Sequence, residues 1–242
     1  MNVADSEVVA AIMQTTQAEL TESIEQADIV ILNTCSIRDK AEQTVLHRLE
    51  EIRALKRKYL NSHAVIGVIG CMAERMQEEL LQTEPVLNFI AGPDAYRDLP
   101  HLIEESANGD AKFNVLLSEE ETYDNIMPVR YDLNGVSAYV SIMRGCNNFC
   151  TYCVVPYTRG RERSRSPQTI FMEVEQLLKD GYKEVTLLGQ NVNSYLWEQD
   201  GQTMNFAQLM AAVAEMSPDL RVRFATSHPK DISDELIEAI AK

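Results

Sequence analysis

Apolar residues in the first half of the chain alternate between short runs and longer stretches of helical period. Residues 28–33 and 64–69 are short and almost wholly apolar, as parallel strands are when both faces are covered, and residues 86–91 form a third such run. Residues 39–58 place apolar side chains at helical spacing, which predicts an amphipathic helix, and residues 4–14 are predicted to form another. This alternation predicts an open parallel α/β sheet.

The second half repeats the alternation after a polar connector, residues 118–135, which includes three consecutive glutamates and an Asn-Gly pair. Three strands are predicted at 136–143, 184–188 and 221–225. Three helices are predicted as well: the first begins at Ser166-Pro167, and the other two cover 206–216 and 232–241. Ser166 is expected to cap its helix, and Pro167 fits the first turn. The predicted organisation is an N-terminal open sheet domain (1–117), a linker (118–135) and a partial (β/α) barrel (136–242).

Composition indicates the size of the cores, the cellular location and the state of the cysteines. The 242 residues are 45% hydrophobic, which allows two modest cores, and carry a net charge of −15. The sequence contains no apolar stretch of about 18 residues and no basic and apolar signal sequence, so we expect a cytoplasmic protein without a membrane partner. Five cysteines, an odd number, favour reduced thiols that serve as ligands.

Three of the cysteines follow the first predicted barrel strand. Cys146, Cys150 and Cys153 have the spacing Cys-x3-Cys-x2-Cys. A four-iron cluster held by three thiolates keeps one iron open to a small molecule, which suits catalysis. Structural zinc sites usually close with four ligands, and the sequence offers no second pair of that kind nearby. The spacing favours an iron–sulfur cluster, with zinc or unligated core thiols as alternatives.

Other candidate residues also follow predicted strands. Cys35 and Cys71 each lie just past a strand of the first sheet, at the edge where parallel sheets bind ligands, although either alone could be a buried apolar side chain. The motifs Gly189-Gln190-Asn191 and Ser227-His228-Pro229 follow the second and third barrel strands, at the rim where barrels place catalytic groups. The alternative is that these side chains only complete hydrogen bonds within their loops.

A basic segment surrounds the cysteine triad. Residues 141–170 hold five arginines against one glutamate, a local net charge of +4 in an acidic chain. The arginines that follow the triad are Arg159, Arg161, Arg163 and Arg165. The overall charge disfavours nucleic-acid binding by the whole surface, because phosphate contacts come from lysine and arginine. The segment is a candidate polyanion site, with a solvated surface as the alternative.

Residues 144–167 resemble the radical S-adenosylmethionine (SAM) enzymes called methylthiotransferases. The resemblance extends over nearly the whole chain through Asn-Thr-Cys-Ser-Ile-Arg at 33–38, Gly-Cys-Met-Ala-Glu-Arg at 70–75, Gly-Gln-Asn-Val-Asn-Ser-Tyr at 189–195 and Ser-His-Pro at 227–229. The Asn-Asn-Phe and Val-Val-Pro-Tyr-Thr-Arg-Gly sequences are most similar to the branch that acts on dimethylallyl-adenosine in tRNA. The second domain is then expected to be the first half of a radical SAM barrel.

The resemblance implies a chemistry and a set of roles. It implies SAM and two 4Fe–4S clusters as cofactors, tRNA as a partner, and an electron donor such as flavodoxin or ferredoxin. A SAM-derived radical abstracts a hydrogen, and a methylthio group is added to carbon 2 of N6-(dimethylallyl)adenosine next to the anticodon. The resemblance implies that Cys146, Cys150 and Cys153 hold the SAM-binding cluster and that Cys35 and Cys71 hold the auxiliary cluster. It also implies cofactor binding by Gln190, Asn191, Ser227 and His228. Their charge and their position beside the triad make Arg159, Arg161, Arg163 and Arg165 the expected substrate-binding residues.

The chain departs from the family pattern at its start. The third auxiliary cysteine of the family lies in a Gly-Cys-Gln-Met-Asn sequence, and this chain begins two residues past that cysteine. We therefore expect a chain truncated at both ends, without the second half of the barrel and the RNA-binding TRAM domain, and inactive in methylthiolation as written. The rival interpretations are a methylthiotransferase for threonylcarbamoyl-adenosine in tRNA or for a ribosomal-protein aspartate, and a non-catalytic metal-binding or electron-transfer module.

Overall fold

The computed structural model describes residues 1–36, 39–58, 63–107, 109, 111–130 and 135–241. In the first half the helices are α1 (Asn2–Gln14), α2 (Asp39–Lys58), α3 (Cys71–Met76), α4 (Glu78–Thr83) and α5 (Leu99–Ala107), with 3-10 turns at Ile24–Gln26 and Tyr96–Asp98. The strands are β1 (Ile29–Thr34), β2 (Val65–Gly70), β3 (Phe89–Ala91) and β4 (Lys112–Asn114).

These four strands form one parallel sheet in the order β1-β2-β3-β4. Every residue of β2 is buried, because its side chains point alternately into two apolar clusters on opposite faces of the sheet. Val65 and Ile69 pack with α1 and α5, whereas Ile66 and Val68 pack with Leu49 of α2 and its neighbours. The predicted open parallel α/β sheet is confirmed.

Most of the predicted bounds in this half hold. The helices at 4–14 and 39–58 and the strands at 28–33 and 64–69 match α1, α2, β1 and β2 to within two residues. The third strand is shorter than predicted because Leu87 N–H donates to the Glu84 carbonyl at 3.0 Å, so the segment before Phe89 is a turn. The short elements α3, α4, α5 and β4 were not predicted.

The second half contains further strands and helices. The strands are β5 (Ser137–Ser141), β6 (Met143–Arg144), β7 (Arg163–Ser164), β8 (Glu184–Leu188), β9 (Leu196–Gln199), β10 (Gln202–Asn205) and β11 (Arg221–Ala225). The helices are α6 (Val155–Thr158), α7 (Pro167–Lys179), α8 (Phe206–Glu215) and α9 (Asp234–Ala241), with 3-10 turns at Val192–Ser194 and Pro229–Asp231.

Strands β5, β8 and β11 form a parallel sheet in the order β11-β8-β5, which is the predicted start of a (β/α) barrel. Ser141, Leu188 and Ala225 are in register, so the carboxyl ends of the three strands meet at one edge. Helices α7 and α8 cover the sheet through apolar side chains such as Val174 and Leu209. The hairpin β9–β10 was not predicted.

One local prediction at the start of α7 is wrong. Ser166 precedes the helix, but its hydroxyl donates to Gln168 Oε1 at 2.6 Å instead of accepting a backbone N–H of the first turn. Pro167 occupies the first turn as expected.

The predicted linker is bound to both halves of the molecule. Residues 118–130 contain neither helix nor strand, yet Tyr123 is buried, and its hydroxyl donates to the Pro93 carbonyl at 2.9 Å. Arg130 bridges Glu7 of α1 and Glu173 of α7. Residues 131–134 lie outside the described residues. We retain 1–117, 118–135 and 136–242 as proposed boundaries. Within the described ranges, no helix has the length and apolar character needed to cross a bilayer.

Candidate active site at the carboxyl edge of the second sheet

The cysteine triad lies on a loop that β6 and β7 close. These strands pair antiparallel, Met143 with Ser164 and Arg144 with Arg163, so the chain leaves the sheet, forms the loop and returns beside itself. Inside the loop Cys146 N–H donates to the Gly160 carbonyl at 3.1 Å, and Cys153 N–H donates to the Cys150 carbonyl at 2.9 Å. The three thiols therefore lie on one short, hydrogen-bonded segment.

A reciprocal pair fixes the start of this loop. Asn147 N–H donates to Glu162 Oε1, and Glu162 N–H donates to Asn147 Oδ1, both at 3.2 Å. The same carboxylate accepts from Ser194 Oγ at 2.9 Å, which ties the cysteine loop to the segment after β8. Gly145 has a φ of 77°, and a side chain there would collide with the Arg161 carbonyl, so only glycine allows this approach. Sequence reasoning did not identify Glu162 as part of the site.

The loops after β8 and β11 meet beside the cysteine loop. Asn191 is buried, its Nδ2 donates to Asp231 at 2.7 Å, and its Oδ1 accepts from His228 N–H at 2.9 Å. Asn193 adds two more hydrogen bonds to the His228 backbone, accepting from its N–H at 3.0 Å and donating to its carbonyl at 2.9 Å. Ser227 is exposed on the same loop. The two predicted motifs thus form one unit, in which Asn191 holds the loop that carries His228.

His228 faces the triad. Its Nε2 lies 4.0 Å from Cys150 Sγ, and its Nδ1 accepts from Lys230 N–H at 3.3 Å. A neutral imidazole that accepts at Nδ1 carries its proton on Nε2, the ring nitrogen nearer the sulfur. The histidine can therefore donate to a sulfur ligand at Cys150.

Gln190 has the character of a ligand-binding side chain. Its Oε1 and Nε2 are both buried, and neither has a hydrogen-bond partner among the described residues. A buried amide without partners is unfavourable, so this side chain fits a site that a polar ligand completes.

The cysteine thiols are not arranged as a finished metal site. Among the described residues, no three histidine, cysteine, aspartate or glutamate side chains are grouped closely enough to hold a metal ion. Burial raises the pKa of Cys146; Asn148 N–H opposes this rise, whereas Glu162, Cys153 and Cys150 add to it. Ligation by this thiol must therefore release a proton. The donor set itself, three thiols on one loop, suits an iron–sulfur cluster.

Cys35 and Cys71 follow neighbouring strands, β1 and β2, at the carboxyl edge of the first sheet. Each directly follows one residue of the register pair Thr34 and Gly70. Gly70 has a φ of 93°, and a β-carbon at this position would lie only 2.7 Å from the Thr34 carbonyl oxygen. Strands β1 and β2 therefore approach each other closely just before Cys35 and Cys71. No disulfide joins any cysteines in the described part of the chain.

Three buried polar atoms near these cysteines lack hydrogen-bond partners among the described residues. They are Asn33 Oδ1, Ser36 Oγ and Arg159 Nη1. Arg159 comes from the cysteine loop and donates through Nε to Cys71 Sγ at 3.2 Å. Arg159 therefore brings the cysteine loop into direct contact with Cys71. Such unsatisfied groups fit a site that holds a further polar ligand.

The prediction that the arginines after the triad all bind substrate needs a correction. Arg159, Arg163 and Arg165 are only 3%, 7% and 5% exposed, so they do not form a surface that RNA could reach. Each is paired with carboxylates, which cancels the local charge read from the sequence. Their acidic partners are Asp5 for Arg159, Asp94 for Arg163, and Asp124 and Glu173 for Arg165.

These ion pairs join the two halves of the molecule. Asp5 of α1 accepts from Arg144 Nη1 at 3.0 Å and from Arg159 Nη2 at 2.5 Å, and Asp94 lies 3.5 Å from Arg144 Nε. Burial would raise the pKa of Asp5, but the charges and hydrogen bonds of Arg159 and Arg144 outweigh it and hold that pKa below its usual value. The carboxylate is therefore ionised at neutral pH.

Arg161 differs from its three neighbours because it is exposed. Its guanidinium lies 5.7 Å from the ring centre of Phe149, which packs edge to face against Tyr157. The two aromatic side chains are 45% and 69% exposed. Phe149 also has a φ of 44°, an uncommon backbone conformation for a residue other than glycine. The exposed cation and rings form a small surface beside the triad, which we call the Arg161 surface.

Glu74 of α3 provides a pH-dependent element next to the second cysteine site. Burial, together with the charge of Asp94, raises its pKa from 4.5 to about 7. A raised carboxyl pKa contributes stability that is present below pH 4.5 and is lost as the pH rises through 7. We expect Glu74→Gln to remove most of the pH dependence that this carboxyl contributes between pH 4.5 and 7.

The measurement is the free energy of unfolding in urea at pH 5 and pH 8. The free energy of unfolding of Glu74→Gln, relative to that of the parent, should increase as the pH rises. Glu78→Gln, at an exposed position of α4, is the matched control and should follow the parent. Equal pH dependence in the Glu74 variant and the parent would contradict the raised pKa.

Comparison with known proteins agrees with this fold. The model of the uncharacterized protein family UPF0004 matches residues 1–92, and the model of the radical SAM superfamily matches residues 140–242. A solved structure of the radical S-adenosylmethionine methyltransferase TsrM from Kitasatospora setae, with cobalamin and a [4Fe-4S] cluster bound, superposes with a TM-score of 0.64. It is 14% identical and covers 98% of this chain and 55% of that chain, so the likeness supports the fold alone.

The curated relatives are closer in sequence. The tRNA-2-methylthio-N(6)-dimethylallyladenosine synthases of Amoebophilus asiaticus and Bacteroides fragilis are each 54% identical to this chain, over 99% and 100% of its length. The chain covers 51% and 52% of those proteins and so spans about half the length of the curated relatives it matches. Fold and motifs define a radical SAM protein. The chain belongs to the radical SAM methylthiotransferase family, as the motifs had indicated.

Proposed function

We propose that this chain contributes to a tRNA methylthiotransferase that adds a methylthio group to carbon 2 of N6-(dimethylallyl)adenosine. One observation carries the proposal: Cys150 of the triad, His228 after β11 and the unsatisfied Gln190 after β8 belong to loops at one sheet edge. The names of the relatives supply the reaction and the substrate.

The residues present fit a SAM-binding cluster. Cys146, Cys150 and Cys153 would hold a 4Fe–4S cluster, which supplies an open iron and one electron for cleaving SAM. The protein's part is to position SAM and to exclude water. Gln190 offers both an N–H donor and a carbonyl acceptor to the amino acid end of SAM, and Asn191 keeps the His228 loop in place.

Cys35 and Cys71 would supply two of the ligands of the second, sulfur-supplying cluster, and two thiols alone are too few to hold it. The support is the adjacent placement of the two cysteines and the buried Asn33, Ser36 and Arg159 atoms that await a ligand. A second 4Fe–4S cluster, an external electron donor such as flavodoxin or ferredoxin, and a cytoplasmic location are part of the proposal.

The first test is SAM cleavage. The chain is reconstituted anaerobically with iron and sulfide, reduced with dithionite and given SAM, and 5′-deoxyadenosine is measured by mass spectrometry. We expect iron uptake and 5′-deoxyadenosine formation. Stoichiometric zinc with no iron uptake, or no SAM binding in a spectroscopic titration, would favour a non-catalytic metal-binding module.

The second test concerns the substrate. Binding of anticodon stem-loops is compared by fluorescence anisotropy, with dimethylallyl-adenosine or threonylcarbamoyl-adenosine in the loop, and with a ribosomal-protein peptide as a third ligand. We expect preference for the dimethylallyl form. Preference for either other ligand would assign the chain to that branch of the family.

The Arg161 surface is the proposed RNA contact. Single-stranded bases stack on exposed aromatic rings, and an adjacent arginine binds phosphate or stacks in turn. Arg161→Ala should weaken stem-loop binding by about tenfold. It should also reduce the slope of log affinity against log salt concentration by about one. The matched control is Arg221→Ala, because Arg221 is exposed at the amino end of β11, away from the triad. Equal losses in both variants would argue against a specific surface.

A further inference from the structure

Two leucines are held at the surface beside the cysteine loop. Leu116 and Leu117 follow β4 at the carboxyl edge of the first sheet, and they are 79% and 37% exposed. On one side Leu116 N–H donates to Asn114 Oδ1 at 3.3 Å, and on the other Ser118 N–H donates to Asp94 Oδ2 at 3.1 Å. These hydrogen bonds fix the backbone on both sides of the leucines and so hold their side chains at the surface.

The leucines border the segment that carries the triad. A β-carbon at Gly160 would lie 3.9 Å from Cβ and Cδ1 of Leu117, which is ordinary van der Waals contact. The Gly160 carbonyl accepts from Cys146 N–H at 3.1 Å, and the next residue is Arg161. Because Gly160 has no side chain, Leu117 comes close to the backbone between the triad and the Arg161 surface. The leucines therefore extend that surface with an aliphatic part.

An aliphatic surface at this place fits an apolar ligand. Exposed leucines next to exposed rings form an apolar area of the kind that marks a binding site, since leaving such side chains in water is unfavourable. The proposed substrate carries a matching group, because the dimethylallyl substituent is a branched hydrocarbon chain without polar atoms. Carbon 2 and the N6 substituent belong to the same ring of adenine, so the surface that receives the dimethylallyl group has to border the triad.

The charges beside the leucines disfavour the rival substituent. Glu119 and Glu120 follow Leu117 closely in the sequence, and both are exposed. A threonylcarbamoyl group carries a carboxylate, which acidic side chains repel, whereas a dimethylallyl group is uncharged. The segment therefore combines attraction for an apolar substituent with repulsion of an anionic one, which is how binding sites achieve specificity.

We propose that Leu116 and Leu117 are specificity-determining residues, which bind the dimethylallyl group of the substrate adenosine through apolar contact. The inference deepens the proposed function and rests on it for the identity of the substrate. The adenine ring lies at the Arg161 surface, and the two leucines select among its N6 substituents.

The test compares two anticodon stem-loops that differ only in the adenosine next to the anticodon, which is unmodified or carries the dimethylallyl group. Affinities are measured by fluorescence anisotropy. We expect Leu116→Asn and Leu117→Asn each to reduce the preference for the dimethylallyl loop by about fivefold, the size expected when a few methylene groups lose apolar contact. The affinity for the unmodified loop should not change.

Two further variants are the controls. Leu117→Met keeps an apolar side chain of similar size and should retain the preference. Leu20→Asn makes the polar change at an exposed leucine in the segment that leads into the amino end of β1, and it should also retain the preference. If both asparagine variants at 116 and 117 keep the preference of the parent, or lose affinity for the two loops alike, the inference is overturned. A parent without any preference would overturn the proposed substrate as well.

A second measurement needs neither RNA nor a variant. The chain is labelled with ¹³C at the leucine methyl groups and titrated with N6-(dimethylallyl)adenosine, and a second sample is titrated with adenosine. The Leu116 and Leu117 signals should shift with the first nucleoside and not with the second, while the Leu20 signal stays unchanged. Equal shifts with both nucleosides, or no shift with either, would overturn the inference. The proposed reaction is tested separately through SAM cleavage, which is measured without any nucleoside.

Discussion

Cys150→Ala is expected to reduce 5′-deoxyadenosine formation by the reconstituted chain to the level of a protein-free blank. The remaining thiols, Cys146 and Cys153, are too few to hold a four-iron cluster that still offers an open iron. Cys150 is also the cysteine that His228 faces at 4.0 Å, so its loss removes the contact between the cysteine loop and the loop after β11. Iron content, SAM binding and 5′-deoxyadenosine are measured on the same preparation.

Cys71→Ala is the matched control for this prediction. It makes the same change at the cysteine that begins α3, directly after β2, so SAM cleavage should persist while the sulfur-supplying site is lost. Unfolding curves of both variants show whether either change disturbs folding. If Cys150→Ala still cleaves SAM at the parent rate, the assignment of the cluster to this triad is wrong.

The parts of the molecule that the sequence predicts well are those with local signals. Strands such as β2 and β8 are short apolar runs flanked by helices, and the bounds of β8 and β11 were predicted to the residue. The triad is equally local, because three thiols within eight residues must share one loop whatever the rest of the fold does. The loops of Gln190 and His228 follow neighbouring parallel strands, so sheet topology alone brings them to one edge.

The arginines show where local reasoning fails. As neighbours in the sequence, Arg159, Arg161 and Arg163 look like one basic surface. Their acidic partners lie far away along the chain, 154 positions for the Arg159–Asp5 bond and 69 for the Arg163–Asp94 bond. Nothing in the sequence near the arginines indicates these partners, so burial could not be predicted and only Arg161 remains exposed. A long separation along the sequence is also the reason that the contact between Arg159 and Cys71 could not be predicted.

Asp5→Asn is expected to destabilise the fold by about 3–5 kcal/mol at pH 7, the usual cost of removing one partner from a buried ion pair. Asparagine keeps the shape of the side chain but leaves Arg144 and Arg159 buried without the charge that both contact. The measurement is the free energy of unfolding in urea. Asp28→Asn, at an exposed aspartate just before β1, is the control and should change the stability little.

The pH dependence of this effect has a definite sign. The pKa of Asp5 is held below its ordinary value in the folded state, so its contribution is present above about pH 4 and is lost as the pH falls through the folded pKa. The difference between the parent and Asp5→Asn should therefore narrow in acid. A difference that stays constant to low pH would mean that asparagine destabilises the fold through packing and not through lost charge.

A double-mutant cycle separates this ion pair from general damage to the interface between the two halves. Asp5→Asn combined with Arg159→Gln should cost clearly less than the sum of the two single changes, because the second change removes a charge that the first leaves unpaired. Asp5→Asn combined with Arg165→Gln should be nearly additive, since Arg165 pairs with Asp124 and Glu173 instead. Additivity in both cycles would show that Asp5 and Arg159 are not coupled.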